Sequence, residues 1–455
     1  MASRAVPPHH HMADPIELVA LTAQGNAEVE AEILLRQALG FDLENDEHDF
    51  RAYLSYVKIY WPGNETEDHF LRLFADIVTF LRGLAGEERP TIQSHIDYLV
   101  GDRHHFYFKT TPAFSDVREM VVKDTVLLIL GLWTLTRSYF VPLHGREAHI
   151  LQICSKQPPQ NTLQQPPRDT IQQPRQSALQ QSVYDIISKS GILPNPDEEP
   201  AVRLDTRSTQ QDLEGGGLIS TPPFSPHSAI DLVGSLSIPT KKLNLFKLKV
   251  LADVQILWTD NVSRHMLLSR RGQEWYIELF ALPCAMQGGA CDVLRDAVGI
   301  PAGLMYEIEL SYANLFNPVP PSKTHRYAGM LLALPLWCWC VSCSSARLRR
   351  RHLAAGTKEE ELPRWDQARL PDDPRLKEVT NREPVVWWDR TSFENLWPRI
   401  QALDQCLQGA KPWSFWVLLR DNRNTVQYWT FLFGTIVLVL TVMQVVLGLL
   451  QVTQG

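Results

Sequence analysis

The chain has 455 residues, of which 44% are hydrophobic and 21% charged, a balance that permits two or three globular domains. A formal net charge of −7 excludes the global basic excess of a nucleic-acid-binding protein, so no nucleic acid is expected as a partner. Seven scattered cysteines, an odd number, exclude a disulfide framework and fit a reducing compartment.

Residues 1–12 carry no apolar core of signal-peptide length and are expected to be disordered. His9, His10 and His11 are too short a run for a metal site. Residues 13–154 predict a helical domain. "DPIELVALTAQGNAEVEAEILLRQALGF" places Asp14 to cap a helix and Pro15 at its first position. "DEHDFRAYLSYVKIYW" and "TEDHFLRLFADIVTFLRGLAG" repeat apolar residues every three or four positions, with charge on the opposite face. "SDVREMVVKDTVLLILGLWTL" is the most apolar segment and reads as the central helix.

Residues 155–240 change character. "KQPPQNTLQQPPRDTIQQPRQSALQQ" and "EGGGLISTPPFSP" bury too little apolar surface to offset the entropy of ordering, which predicts a disordered Gln/Pro-rich linker. Its Thr221 and Ser225, each before proline, read as turn chemistry rather than phosphate acceptors.

Residues 241–410 read as a second folded region, helical with a small β element. A strand is expected over Val254 to Trp258, and "HMLLSRRGQEWYIELF" alternates across a Gly-containing turn as a β-hairpin does. "ACDVLRDAVG" and "PAGLMYEIELSYANLF" predict helices separated by Pro301. "REPVVWWDRTSFENLWPRIQALDQCL" predicts one or two more.

Residues 411–427 form a juxtamembrane segment, 428–450 a transmembrane helix and 451–455 a tail. From Tyr428 to Leu450 no residue is charged, and at the helical rise the run is roughly 34 Å long, against a hydrocarbon core of about 30 Å. Trp413, Trp416, Tyr428 and Trp429 are placed for the headgroup level. Arg420 and Arg423, on the N-terminal side of the run, predict a cytosolic N-terminus. The lipid bilayer is thus the first expected partner, in a tail-anchored arrangement in the endoplasmic reticulum or secretory pathway. Gln444 near mid-span suggests self-association through the helix.

The fold expected is mainly α with a small β-hairpin element: two folded regions joined by a disordered linker, plus a C-terminal transmembrane helix. "ILWTDNVSRHMLL", "IPAGLMYEIELSYANLF", "VVWWDRTSFENLWPRI", "RDNRNTVQYWTF" and "YLSYVKIYWP" together resemble an uncharacterised protein family of filamentous fungi. The resemblance implies an α-rich cytosolic body with one C-terminal span, and no activity or site residue comes with it.

No P-loop, dinucleotide-binding, HExxH, nucleophile-elbow or kinase signature is present, so no cofactor and no catalytic motif is expected. Asp260 and His265, with Glu274, are the best acid–base candidates, and hydrogen bonding within the core is the plainer role for them. "CWCVSC" places Cys338, Cys340 and Cys343 beside the basic run "RLRRRH", a setting for acylation. Their spacing lacks the second cysteine or histidine pair that a structural zinc site needs, with His352 the only nearby addition, so no metal is expected. The stretch 327–346 has the length of a span, but Pro335 and the translocation it would require favour a buried helix. The expected function is a cytosol-facing binding or tethering module with unknown protein partners. The alternative is a membrane-bound enzyme with its site in residues 241–355.

Overall fold

The computed structural model describes residues 15–61, 66–83, 89–100, 115–140, 178–197, 203–204, 237–271, 274–318, 338, 340–355, 373–410 and 425–454. It is mainly helical, with a four-stranded and a two-stranded sheet. The N-terminal helices are α1 (Pro15–Leu39), α2 (Glu47–Ile59), α3 (Glu67–Arg82), α4 (Ile92–Tyr98), α5 (Ser115–Trp133) and the single turn α6 (Arg137–Phe140). Helix α3 shows why they assemble: Phe70, Phe74, Ile77, Val78 and Leu81 recur at helical spacing and are all buried. Helix α5 buries Val122, Val126, Ile129, Leu130 and Trp133 along one face and Leu127 and Leu132 beyond its two edges, a wide apolar surface such as a central helix needs. At the surface Lys58 of α2 reaches Glu28 and Glu32 of α1 and Glu67 of α3, at 3.2, 2.9 and 2.5 Å. Burial works against its charge, yet the three carboxylates hold its pKa above the ordinary lysine range.

Part of the stretch expected as a linker is folded. Helix α7 (Val183–Lys189) buries Val183, Ile186 and Ile187, and Ser182 caps it by accepting from the Asp185 amide at 3.1 Å. The composition of its Gln- and Pro-rich flanks hides this short amphipathic segment, "SVYDIISKSGIL". Arg89, from the turn before α4, lies 3.5 Å over the Tyr184 ring.

The main sheet runs β1 (Arg203–Leu204), β4 (Leu267–Arg271), β5 (Glu274–Phe280), β3 (Val254–Thr259). Strands β4 and β5 form the expected antiparallel hairpin, and β3 pairs parallel with β5 on its far side. The chain must therefore cross over between β3 and β4, which it does through residues 260–266. Helix α8 (Leu245–Ala252) precedes β3, capped by Asn244 accepting from the Lys247 amide. Helix α9 (Gly288–Val293) continues into one wide turn, and α10 (Ala302–Phe316) follows, with Pro301 at its N-cap.

The stretch "VVWWD" departs from the helix expected there. Trp387–Asp389 is strand β6, paired antiparallel with β2 (Ser237–Pro239). Its alternation decides the outcome: Trp387 is exposed, whereas Trp388 is fully buried and donates Nε1–H to the Leu243 carbonyl at 3.0 Å. Helices α11 (Val341–Ala355), α12 (Pro374–Asn381), α13 (Trp397–Gly409) and α14 (Thr425–Gln454) complete the described chain.

The N-terminal helices and the second region meet in one hydrophobic core. A single contact shows how tight the joint is. Helix α1 ends at Gly40 in the left-handed conformation (φ +86°), and a Cβ built on Gly289 of α9 would lie 2.2 Å from the Gly40 carbonyl oxygen. Two backbones meet there, so neither side can rotate away. Gly289→Ala is expected to lower stability by about 1–3 kcal/mol, read as an earlier chemical-denaturation midpoint. A wild-type midpoint would show that the two regions do not depend on this contact.

Candidate functional site

Helix α14 is the feature with an outward-facing chemistry. Its Trp429–Gln451 segment, 23 residues, is long and apolar enough to cross a membrane, and none of its most apolar stretch is buried. Val437, Leu438, Val439 and Leu440 are consecutive, so they circle the axis once, and all four are exposed. A core helix buries at least one stripe; this one buries none. Thr435 and Thr441 return their hydroxyls to the carbonyls four residues earlier, both at 2.9 Å, so these hydroxyls leave no unmet donor on the helix surface. Trp429 is half exposed and packs beside Phe433, ring centroids 5.9 Å apart. Trp413, Trp416, Arg420 and Arg423 lie outside the described residues, as does the side chain of Tyr428.

The sequence candidates Asp260 and His265 sit in the crossover between β3 and β4, and both are buried. The structure gives each its own set of partners. Asp260 accepts from Arg137 Nε at 2.6 Å, from Tyr56 OH at 3.1 Å and from Tyr60 OH at 3.4 Å. Burial, then the Asp260 carboxylate, holds both phenols well above the ordinary tyrosine range, so they remain donors. The Arg137 guanidinium also lies 4.3 Å over the Tyr60 ring. Its neighbours repeat the pattern: Ser138 accepts from Asn261 and Tyr139 from Ser263, while the Val262 amide donates to the Leu135 carbonyl. Residues 135–139 are thus fastened to residues 260–263 bond by bond.

His265 is fully buried, with one protonation state its neighbours accept. The Phe280 amide donates to Nδ1 at 3.1 Å, so the ring proton sits on Nε2 and goes to Ser311 Oγ at 2.8 Å. Ser311 in turn donates to the Ile308 carbonyl at 2.7 Å. Arg399 Nη1 of α13 donates to the carbonyls of Ser263 and His265, both at 2.7 Å. Glu307 of α10 accepts from the amides of Asn395 and Leu396, at 3.1 and 2.8 Å, where α13 begins. Glu274, the third candidate, is exposed at the start of β5 and accepts from Tyr276. The three are not brought around a common space. A small cavity lined by Leu39, Phe41, Tyr53, Trp133, Ala285, Ala290 and Leu294 has, at about 10 Å³, room for roughly one water, and none of the three candidates lines it.

Burial, then the charge of Arg399, pushes the His265 pKa down to about 3. The unfolded chain therefore takes up a proton that the native imidazole refuses. The stability carried by neutral His265 is full above about pH 6.5 and declines as pH falls toward 3, by up to about 1.4 kcal/mol per pH unit. Asp49, which burial and then Asp373 raise to about 6, slopes the opposite way, so the comparison must be with a variant. His265→Gln is expected to lose stability at pH 7 but to show less loss than the parent between pH 6.5 and 4.5. Parallel curves would place the imidazole charge elsewhere.

Helix α11 opens with the cysteine cluster. The sulfurs of Cys338, Cys340 and Cys343 lie within 4.8 Å of one another. Cys343 is buried, with Cys338 and Cys340 half-buried, and no described cysteine is in a disulfide. Of the basic run, Arg347 donates to the Cys338 carbonyl at 2.6 Å and Arg349 to the Thr380 carbonyl at 3.1 Å, while Arg350 and Arg351 are exposed. Residues 341–346 of the apolar stretch belong to this packed helix, and residues 327–337 lie outside the described residues.

Sequence reasoning found Asp260 and His265 but missed Arg137, which ties the N-terminal helices to the crossover, and Arg399 and Glu307, which brace the second region around it. No local signal marks them, since Arg137 is 123 residues from Asp260. No protein-family model, curated protein or solved structure matches this chain.

Proposed function

We propose that this protein is a tail-anchored membrane protein whose α-rich body faces the cytosol as a binding or tethering module. The observation that carries the proposal is the Trp429–Gln451 segment, whose most apolar stretch has no buried residue. Arg420 and Arg423 on the N-terminal side of that segment support a cytosolic body, and the span length suits the endoplasmic reticulum or secretory pathway. The shared core supports a body that presents its surface to a protein partner as one unit, so surface variants suit the search for partners better than removal of the N-terminal helices. Gln444 is exposed on the span and would hydrogen-bond a second copy of the helix.

A glycosylation-acceptor tag fused after Gly455 tests the topology in cells. The expected result is a glycosylated band in the membrane fraction, with the body sensitive to protease added from the cytosolic side. An unmodified band with protected body residues would reverse the orientation, and soluble protein would end the proposal.

A further inference from the structure

Among the described residues, Cys338, Cys340 and Cys343 gather as a cluster of nucleophilic side chains at the start of α11. The geometry points to a three-thiolate site in which Cys338, Cys340 and Cys343 hold a thiophilic d10 cation, Cu(I) before Zn(II).

Three features build the site. The first is convergence: all three sulfurs lie within 4.8 Å of one another. A metal about 2.3 Å from each of three sulfurs sets them about 4 Å apart, so closing on the ion asks for a movement of under about 1 Å. The second is how the backbone holds them. Cys340 precedes the first residue of α11, its carbonyl accepts from the Ser344 amide at 3.0 Å, and its sulfur accepts from the Cys343 amide at 3.4 Å. Arg347 Nη2 straps the other end, donating to the Cys338 carbonyl at 2.6 Å and to Ser344 Oγ at 3.1 Å. The third is charge. Ligation releases three thiol protons to solvent with no change of oxidation state, and three thiolates around one Cu(I) leave a net charge of −2. That charge falls at the N-terminus of a 15-residue helix, beside the Arg347 guanidinium.

The number of ligands selects the ion. Structural zinc takes four protein ligands in tetrahedral array, and among the described residues no fourth joins the group. His352 lies nine positions beyond Cys343 on the same helix, roughly 13 Å along its axis. Soft thiolates select Cu(I), which three of them satisfy in a plane. The other acidic cluster, Glu28, Glu32 and Glu67, already surrounds the Lys58 ammonium and offers a metal nothing. Acylation, by contrast, uses one thiol at a time and needs that thiol to reach an acyl donor, which the buried Cys343 does not.

The test uses the full chain, reduced and oxygen-free in detergent micelles, titrated with Cu(I) held by a chromophoric chelator. The expected result is one Cu(I) withdrawn per chain, with thiolate-to-copper absorption in the ultraviolet. C338S/C340S/C343S, which retains the other four of the seven cysteines, should withdraw none. C338S alone changes a half-buried residue and keeps the fold testable. It should weaken Cu(I) binding by more than the about 10–100-fold that loss of an outer-shell partner costs, because it removes a direct ligand. Equal uptake by the triple variant would overturn the site. So would an acyl label on these cysteines in protein from cells, and tighter retention of Zn(II) than of Cu(I) would overturn the choice of ion.

Discussion

Arg137→Met is expected to destabilise the protein by about 3–5 kcal/mol, against a total stability that for most domains is about 5–15 kcal/mol. The reason is what the substitution leaves behind. Asp260 is 8% exposed at its side chain and has given up its water to accept from Arg137 and two tyrosines. Without the guanidinium, two neutral phenols face a buried carboxylate that they cannot neutralise. Met restores most of the apolar volume of the lost side chain, so the loss reads the charge and not a cavity. Asp260→Asn should cost less, because Arg137 retains 16% exposure and its ring contact with Tyr60. The double variant, Arg137→Met with Asp260→Asn, should be more stable than the sum of the two single losses allows, by at least about 1 kcal/mol. Urea unfolding followed by tryptophan fluorescence gives all four corners of the cycle. A loss below about 1 kcal/mol for Arg137→Met, or strict additivity, would mean that the ion pair does not hold the N-terminal helices to the crossover.

That pair also shows where the sequence is silent. Helices α2 and α3 are legible because their apolar residues repeat at three and four positions, a signal contained within a dozen residues. The β4–β5 hairpin is legible for the same reason at period two. The crossover motif "WTDNVSRH" stands out as unusual, but its partners stand far off in the chain: Arg137 at 123 residues and Tyr56 at 204. Nothing local in "TLTRSYF" says that three successive side chains will each meet one residue of that motif. Asp260 and His265 therefore look like an acid and a base in sequence, while in the fold each is saturated by separate neighbours. The error at "VVWWD" has another cause. A three-residue strand holds too few residues for alternation to outvote the helical pattern downstream, and its pairing partner, β2, is 150 residues earlier by register, Ser237 opposite Asp389 at one end and Pro239 opposite Trp387 at the other. Helix α7 was hidden differently, by the composition of the residues on either side of it. The cysteines are a further case: their spacing is legible in the sequence, and the turn into α11 brings the three sulfurs together.

Leu440→Lys is expected to weaken membrane insertion by about 3 kcal/mol, which is a factor of over 100 in the equilibrium. Leu440 stands at the centre of the Trp429–Gln451 segment and is 54% exposed, so a lysine there has neither a protein partner nor a short path to either headgroup layer. One lysine leaves a helix of this length with apolar surface in reserve. Val437→Lys with Leu440→Lys places two charges a turn apart and should raise the loss to about 5–7 kcal/mol, enough to move the protein from the alkaline-resistant membrane pellet to the extractable fraction. Leu440→Ile should change nothing. The control that matters is the body, whose core does not touch this segment. Its unfolding midpoint should be the same in the parent and in both lysine variants. The same substitutions discriminate against any soluble role for α14. If the helix lay in water, an exposed leucine exchanged for lysine would improve solubility and leave the pellet fraction unaltered. A double-lysine variant that still resists alkaline extraction would show that something other than this helix holds the chain to the membrane.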